Sequence, residues 1–244
     1  MAPTVLLLQL AVRVLALPLY LLDFLGVWSW ICKRCFPFFL ARFSSVYNRQ
    51  MASTKRGLFG SLQEHAGPSG ALCLLELGCG TGANFQFYPP GCRVTCVDPN
   101  PNFEKFLIQS IAENRHVQFE RFVVAAGEDM RPVADGSVDA VVCTLVLCSV
   151  QNQERILQEV RRVLRPGGAF YFLEHVAAER STWSHFWQQV LEPVWYLVFD
   201  GCSLTRESWK TVERAGFSKL QLQRLQAPLS WPLVRPHICG YAVK

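Results

Sequence analysis

Acidic side chains are nearly missing from the start of the chain: residues 1–56 hold one, Asp23, against seven Lys or Arg. That segment carries +6, so of the +5 on all 244 residues, residues 57–244 contribute −1 (+5 minus +6). A near-neutral remainder lacks the positive footprint that tracking a phosphate backbone requires, so nucleic acid is not an expected partner. A basic stretch ahead of the apolar run 5–22 is also missing, and Pro18 follows the small-residue site Ala16-Leu17. Both features argue against a cleaved signal peptide. No second C-x-x-C accompanies Cys32 and Cys35, which removes the usual zinc spacing, and no βαβ context surrounds them for thioredoxin chemistry. No metal is expected, and acylation or burial at an interface accounts for that pair. Internal repeats and low-complexity stretches are absent. Of the ten cysteines, Cys73, Cys96 and Cys143 lie in apolar strand-like runs, where a free thiol acts as a small hydrophobe, so a reducing compartment is expected.

What the chain does have begins with that apolar run, which continues over residues 24–31 through Trp28 and Trp30, side chains suited to a headgroup boundary. Arg13 and Asp23 would be costly at a bilayer centre, and Pro18 removes a backbone donor, so a shallow helix or hairpin is expected rather than a straight span. Lys33, Arg34, Arg42, Arg49, Lys55 and Arg56 follow without an acid between them, which keeps that flank cytosolic. The organisation is therefore a membrane anchor over 1–31, a basic linker and helix start over 32–56, and one globular domain over 57–244.

Within that domain apolar runs alternate with amphipathic ones. Strands are predicted over 71–77, 93–97, 117–124, 138–147 and 169–173, and helices near 84–87 and over 103–114, 153–164 and 181–199. Repeated βα units with buried β-branched strands require a mostly parallel α/β sheet with helices on both faces. The segment Leu74-Leu75-Glu76-Leu77-Gly78-Cys79-Gly80-Thr81-Gly82 ends the first strand, where such sheets bind ligands. Its glycines let backbone N–H groups approach a ligand. The second strand ends at Asp98, an acid placed to accept hydrogen bonds from ribose hydroxyls, as in NAD and S-adenosyl-methionine sites alike.

These residues, with Gly127-Glu128-Asp129-Met130, Asp135-Gly136-Ser137-Val138-Asp139 and Leu164-Arg165-Pro166-Gly167-Gly168, occur in class I methyltransferase order. Over anchor and domain alike the chain resembles the membrane-bound alkyl-thiol S-methyltransferases, most closely at residues 84–96. The resemblance implies a Rossmann-like, seven-stranded, mostly parallel sheet with an antiparallel last strand. It implies S-adenosyl-L-methionine as methyl donor, a small hydrophobic thiol as acceptor, and an endoplasmic-reticulum or lipid-droplet membrane, where the basic flank would turn the domain to the cytosol. Glu76, Gly78, Gly80 and Gly82 would surround the methionine end of the donor, Asp98 the ribose, and Glu128 or Asp129 the adenine amino group. Where the family places an acid two residues before Glu128, this chain has Ala126. The competing reading of Glu128 and Asp129 is a solvated loop.

Methyl transfer from a sulfonium is one displacement, so few residues need be catalytic. His175, at the end of the fifth strand, is the expected base, against a plain backbone-bonded His. Asp200 is a further candidate for proton removal, and Cys148 is read as a packed core thiol. Residues 181–199 carry three Trp and two Phe, enough to roof an apolar acceptor pocket or to meet lipid. Two other functions compete. RNA adenosine N6-methylation would need a [DN]-P-P-[FYW] clamp after the fourth strand, where residues 144–148 read TLVLC. A lipid-droplet recruitment protein would have little use for an intact donor fingerprint.

Overall fold

The computed structural model describes residues 2–67 and 70–244. Its first part is helical: α1 (Ala2–Leu15), α2 (Leu17–Phe24), α3 (Val27–Gln50) and α4 (Ala52–Phe59). Pro18 sits in the first turn of α2, where its missing N–H is of no consequence. Among the described residues no single helix is long and apolar enough to cross a membrane; α1 from Pro3 and α2 pass that test only together, bent by 65°. The stretch 32–56, read above as linker and helix start, lies in α3 and α4. The reason is an aromatic ladder: Phe39 stacks on Phe43 and Phe43 on Tyr47, at the i, i+4 spacing that gives a helix one packing face.

The remaining elements are β1 (Cys73–Leu77), β2 (Arg93–Asp98), α5 (Glu104–Glu113), β3 (Gln118–Val124), β4 (Val138–Thr144), α6 (Gln153–Val163), β5 (Leu164–His175), α7 (Trp183–Val198), α8 (Ser208–Arg214), β6 (Lys219–Gln226) and β7 (Pro236–Val243). They form one seven-stranded sheet in the order β3-β2-β1-β4-β5-β7-β6. The first five strands pair in parallel, and β7 runs antiparallel to both β5 and β6. The expected Rossmann-like α/β sheet is present. α6 buries Ile156, Leu157, Val160 and Val163 against one face, together with Trp209 and Val212 of α8. Truncating such a residue to Ala costs about 2–5 kcal/mol. The other face is covered by Phe59 of α4, Leu107 of α5 and Phe85. Asn152 starts α6 by accepting the Arg155 N–H at 2.8 Å.

Three expected elements differ. The strand expected over 169–173 runs Leu164–His175, taking in Pro166-Gly167-Gly168. Residues 84–87 make a single 3-10 turn, Phe85–Phe87, rather than a helix. The strand expected over 138–147 stops at Thr144, because Leu145 takes a left-handed φ of 57°. The turn is held by Glu174, fully buried at the end of β5, whose Oε1 accepts the Val146 N–H at 3.0 Å. A left-handed leucine is costly and needs such support.

α1, α2 and α3 are tied along α7. Gln9 donates to the Gln189 carbonyl, Tyr20 to that of Pro193 and Trp28 to that of Leu197, at 2.8–2.9 Å. The apolar N-terminal segment is thus docked on the domain, and α3 passes over the carboxyl ends of β1 and β4, where the strand order reverses.

Candidate active site

A cleft of about 610 Å³ opens at this reversal, lined by the loop after β1, the end of β2, the turn after β4 and α3. Gly78 and Gly80 hold φ of 63° and 49°. A Cβ at Gly78 would lie 2.4 Å from Val146 Cγ2, and one at Gly80 2.9 Å from Leu40 Cδ2, so side chains there would jam the loop against both walls. Asp98 accepts the Gly80 N–H at 3.0 Å on one oxygen and the Asn100 N–H at 2.9 Å on the other. Burial nevertheless pushes its pKa up to about 6. Its remaining lone pairs stay available on the cleft wall.

Glu76 is buried beside it, and its Oε2 has no partner. Its Oε1 accepts from Asn84 Nδ2 at 2.8 Å, and the Asn84 Oδ1 in turn accepts from Lys55 Nζ at 2.7 Å. Lys55 also donates to Asn48 Oδ1 at 2.6 Å and is only 1% exposed. Asn84 therefore relays between a buried ammonium and a buried carboxylate. Desolvation drives the two pKa values toward each other, Lys55 down to about 7 and Glu76 up to about 7. An orphaned carboxylate oxygen, an acid at the end of β2 and a loop with glycine at 78 and 80 are the features a nucleoside carrying an amino acid requires; the residues fit the expected donor.

A second cavity of about 350 Å³ adjoins the cleft, the two sharing Phe36, Leu40, Phe43, Tyr47, Leu145 and Ser149 as lining. Trp195, Phe199, Trp231 and Val234 make most of its other walls apolar. Tyr47 donates to His237 Nε2 at 3.1 Å, the tautomer being set by Nδ1–H on the Arg235 carbonyl. Burial first, and His175 second, hold His237 neutral with a pKa of about 3. Against one wall lie three more groups: His175 Nε2 is 3.0 Å from Cys202 Sγ, and Cys202 Sγ is 3.6 Å from Cys148 Sγ. All ten cysteines are free.

The residues expected from sequence are distributed as follows. Glu76, Gly78, Gly80, Asp98 and Glu128 line the cleft, as does Asp200. Gly82 faces α5 instead, where a Cβ would meet Leu107 and Ser110 at 3.0 Å. Glu128 accepts the Gln151 N–H at 2.8 Å, whereas Asp129 is turned onto Arg131 through two bonds of 2.7 Å and does not line the cleft. His175 lines the apolar cavity and Asp200 does not, so the two expected proton acceptors sit at different ends of the site. Sequence reasoning overlooked Lys55, Asn84, Tyr47 and Cys202. Asn84 had a local signal, two residues past the last loop glycine; the others had none.

A family described as methyltransferase domain matches residues 75–172. A human protein named thiol S-methyltransferase TMT1A is 77% identical, covering 99% of each chain. Human thiol S-methyltransferase TMT1B is 61% identical, covering 98% of each chain. A solved structure of geranyl diphosphate methyltransferase in complex with SAM shares the fold at a TM-score of 0.58 and 16% identity, over 78% of this chain and 84% of that one.

Proposed function

As the chain belongs to the thiol S-methyltransferases of the class I S-adenosyl-methionine-dependent superfamily, we propose that it methylates the sulfur of small apolar thiols at a membrane surface. The observation that carries this reading is the apolar cavity with sulfur and imidazole on its wall, adjoining a cleft whose free acceptors match the donor. When bound, S-adenosyl-L-methionine supplies a methyl group on a sulfonium sulfur. Glu76 and the loop from Gly78 to Gly80 would hold its methionine end, Asp98 its ribose, and Glu128 the edge of its base. Phe36, Leu40 and Phe43 of α3 exclude water from both cavities at once, which favours displacement by a sulfur lone pair over side reactions with water. Leu145 and Ser149 stand between the two cavities and set the line of approach.

A free thiol of pKa about 8.5 is only a few per cent thiolate at neutral pH, so the acceptor proton has to be removed or displaced. His175 is held above the ordinary imidazole pKa: burial lowers it, but its contact with Cys148 and the nearby Glu174 outweigh that. Its Nε2 already faces Cys202, so a base role would first have to break that contact.

The membrane part of the reading rests on exposed side chains. Leu7, Leu10, Leu15 and Phe24 of α1 and α2 are all more than half exposed, and Trp183 on the adjoining α7 is 77% exposed. The basic residues of α3 suit anionic headgroups on the cytosolic side, and the endoplasmic-reticulum membrane or lipid droplet is the host the family resemblance supplies. Incubating membranes that bear the protein with labelled donor and a panel of thiols, amines, phenols and RNA tests the acceptor class. Label is expected in apolar thiols. Label in RNA, or donor binding with no acceptor methylated, would favour an N6-methyltransferase or a recruitment protein instead.

A further inference from the structure

Cys148, His175 and Cys202 come from three separate places: the turn after β4, the end of β5 and the turn after α7. Their ligand-capable atoms all lie within 4.8 Å of one another; Cys148 and His175 are buried and Cys202 is partly so. Each is placed by backbone. The Ser203 N–H bonds the Cys148 carbonyl at 3.0 Å, the Cys202 N–H bonds that of Phe199 at 3.0 Å, and His175 pairs with His237 in the β5–β7 ladder. His175 Nδ1 is buried without a partner, so the ring's polar contact is the one that Nε2 makes to Cys202. Trp195 donates its indole N–H to Cys202 Sγ at 3.3 Å, a contact that favours a thiolate.

We infer that these three side chains form a zinc site, Cys148 Sγ, Cys202 Sγ and His175 Nε2, whose fourth position faces the apolar cavity and takes the sulfur of the acceptor thiol. Around a tetrahedral zinc with Zn–S of about 2.3 Å and Zn–N of about 2.0–2.1 Å, ligand atoms stand roughly 3.5–3.8 Å apart. The 3.6 Å between the sulfurs matches, and the 3.0 Å from nitrogen to sulfur needs a small opening. Two sulfurs and one imidazole with an open position is a ligand set of catalytic zinc, and soft thiolate donors select zinc over magnesium or calcium. Two thiolates and one divalent ion sum to zero charge, which suits the aromatic walls. Spacing hid the site: His175 and Cys202 are 27 residues apart and Cys148 and Cys202 are 54, far outside C-x-x-C patterns.

The inference rests on the thiol methylation proposed above and supplies its missing activation. The acceptor gives its proton to solvent as its sulfur takes the fourth position. A lone pair of that sulfur then forms the new S–C bond while the S–CH3 bond of the sulfonium breaks, its electron pair remaining on the donor sulfur. The thioether product, now a weak ligand, leaves. No oxidant or reductant is needed.

The test uses full-length protein purified in detergent. Metal analysis is expected to give about one zinc per chain. Exchange with Co²⁺ should give the visible bands of a tetrahedral site and a sulfur-to-cobalt charge-transfer band that strengthens when an apolar thiol is added. Cys202→Ser and Cys148→Ser should weaken that band and lower zinc content, while donor binding by calorimetry stays within about twofold and shows the fold intact. Removing the metal should lower thiol methylation at pH 7 roughly thirtyfold, the thiolate deficit of a thiol with pKa about 8.5, and restore a rise in rate toward pH 8.5. Stripped protein that methylates thiols at the full rate, zinc that persists in both variants, or a Cys148–Cys202 disulfide in metal-free active protein would overturn the site. Absence of thiol methylation from zinc-loaded wild type would instead overturn the functional reading on which it rests.

Discussion

Asp98 shows how one side chain is set for a task that its empty surroundings oppose. Burial raises its pKa to about 6, although the N–H groups of Asn100 and Gly80 pull it down. The sign follows: the folded pKa lies above the ordinary 3.8, so the empty fold is stabilised by acid through this residue, and that contribution is lost as pH rises from about 4 to 6. Donor binding needs the carboxylate to accept from two hydroxyls. Glu76, with its pKa pushed up to about 7, takes up a proton first, so donor Kd, measured by calorimetry, is expected to be flat above about pH 8, to rise below pH 7 and to steepen below pH 6 as Asp98 is protonated as well. Asp98→Ala should raise Kd roughly a hundredfold, since two charge-assisted bonds of about 1.5–3 kcal/mol each are lost. Its melting temperature should move little, because two backbone donors lose their acceptor while a buried charge is removed. Normal donor binding by Asp98→Ala would mean that the ribose lies elsewhere, and the placing of Glu76 and the glycine loop would fall with it.

At the scale of elements, α4 carries Lys55 into the cleft wall, so α4, like α3, helps to build the cleft proposed to hold the donor. In Lys55→Met the amide oxygens of Asn48 and Asn84 lose a buried donor, at about 1–3 kcal/mol each. Urea unfolding should register that loss. Lys55 also lowers the pKa of Glu76, so its removal should push Glu76 above about 7 and move the acid limb of donor binding toward higher pH. An unchanged pH profile in a folded Lys55→Met protein would reduce Lys55 to a structural role. None of this was legible in the sequence, where a Lys between polar residues reads as solvated or facing headgroups; its burial depends on α4 crossing to Asn84. The strands, the glycine loop and Asp98 were legible because their signals are local: apolar runs, a turn that needs positive φ, and an acid at a strand end. The end of β4 was not, because apolar residues continue to Leu147 and hydropathy carries no trace of the left-handed Leu145. Cys202 and Cys148 share nothing in sequence that brings them together; only the return of α7 over β4 and β5 does.

For the molecule as a whole, the same N-terminal helices face two ways, with Phe36 and Leu40 toward the site and the leucines of α1 and α2 outward. This dictates where a deletion that tests the proposed anchor should be cut. Removing residues 1–31 would take the first turn of α3 and the Trp28 bond to Leu197, disturbing the wall of both cavities. A cut ahead of Gly26, whose φ of 73° marks the break between α2 and α3, spares them. Deletion of residues 2–25 is expected to leave donor Kd within about twofold and to release the protein from membranes under alkaline carbonate, because α1 and α2 hold most of the exposed contiguous apolar surface. It also strips Gln9 and Tyr20 from α7, so the released protein should need detergent to stay in solution. If the bilayer concentrates acceptors beside the cavity, truncation should raise KM for thiols that partition into lipid and leave kcat alone, while KM for a small polar thiol stays put. A truncated protein that remains on vesicles would move the anchor to α7 and the basic face of α3. Equal KM changes for apolar and polar thiols would mean that the acceptor arrives from water and that the membrane serves only to hold the enzyme.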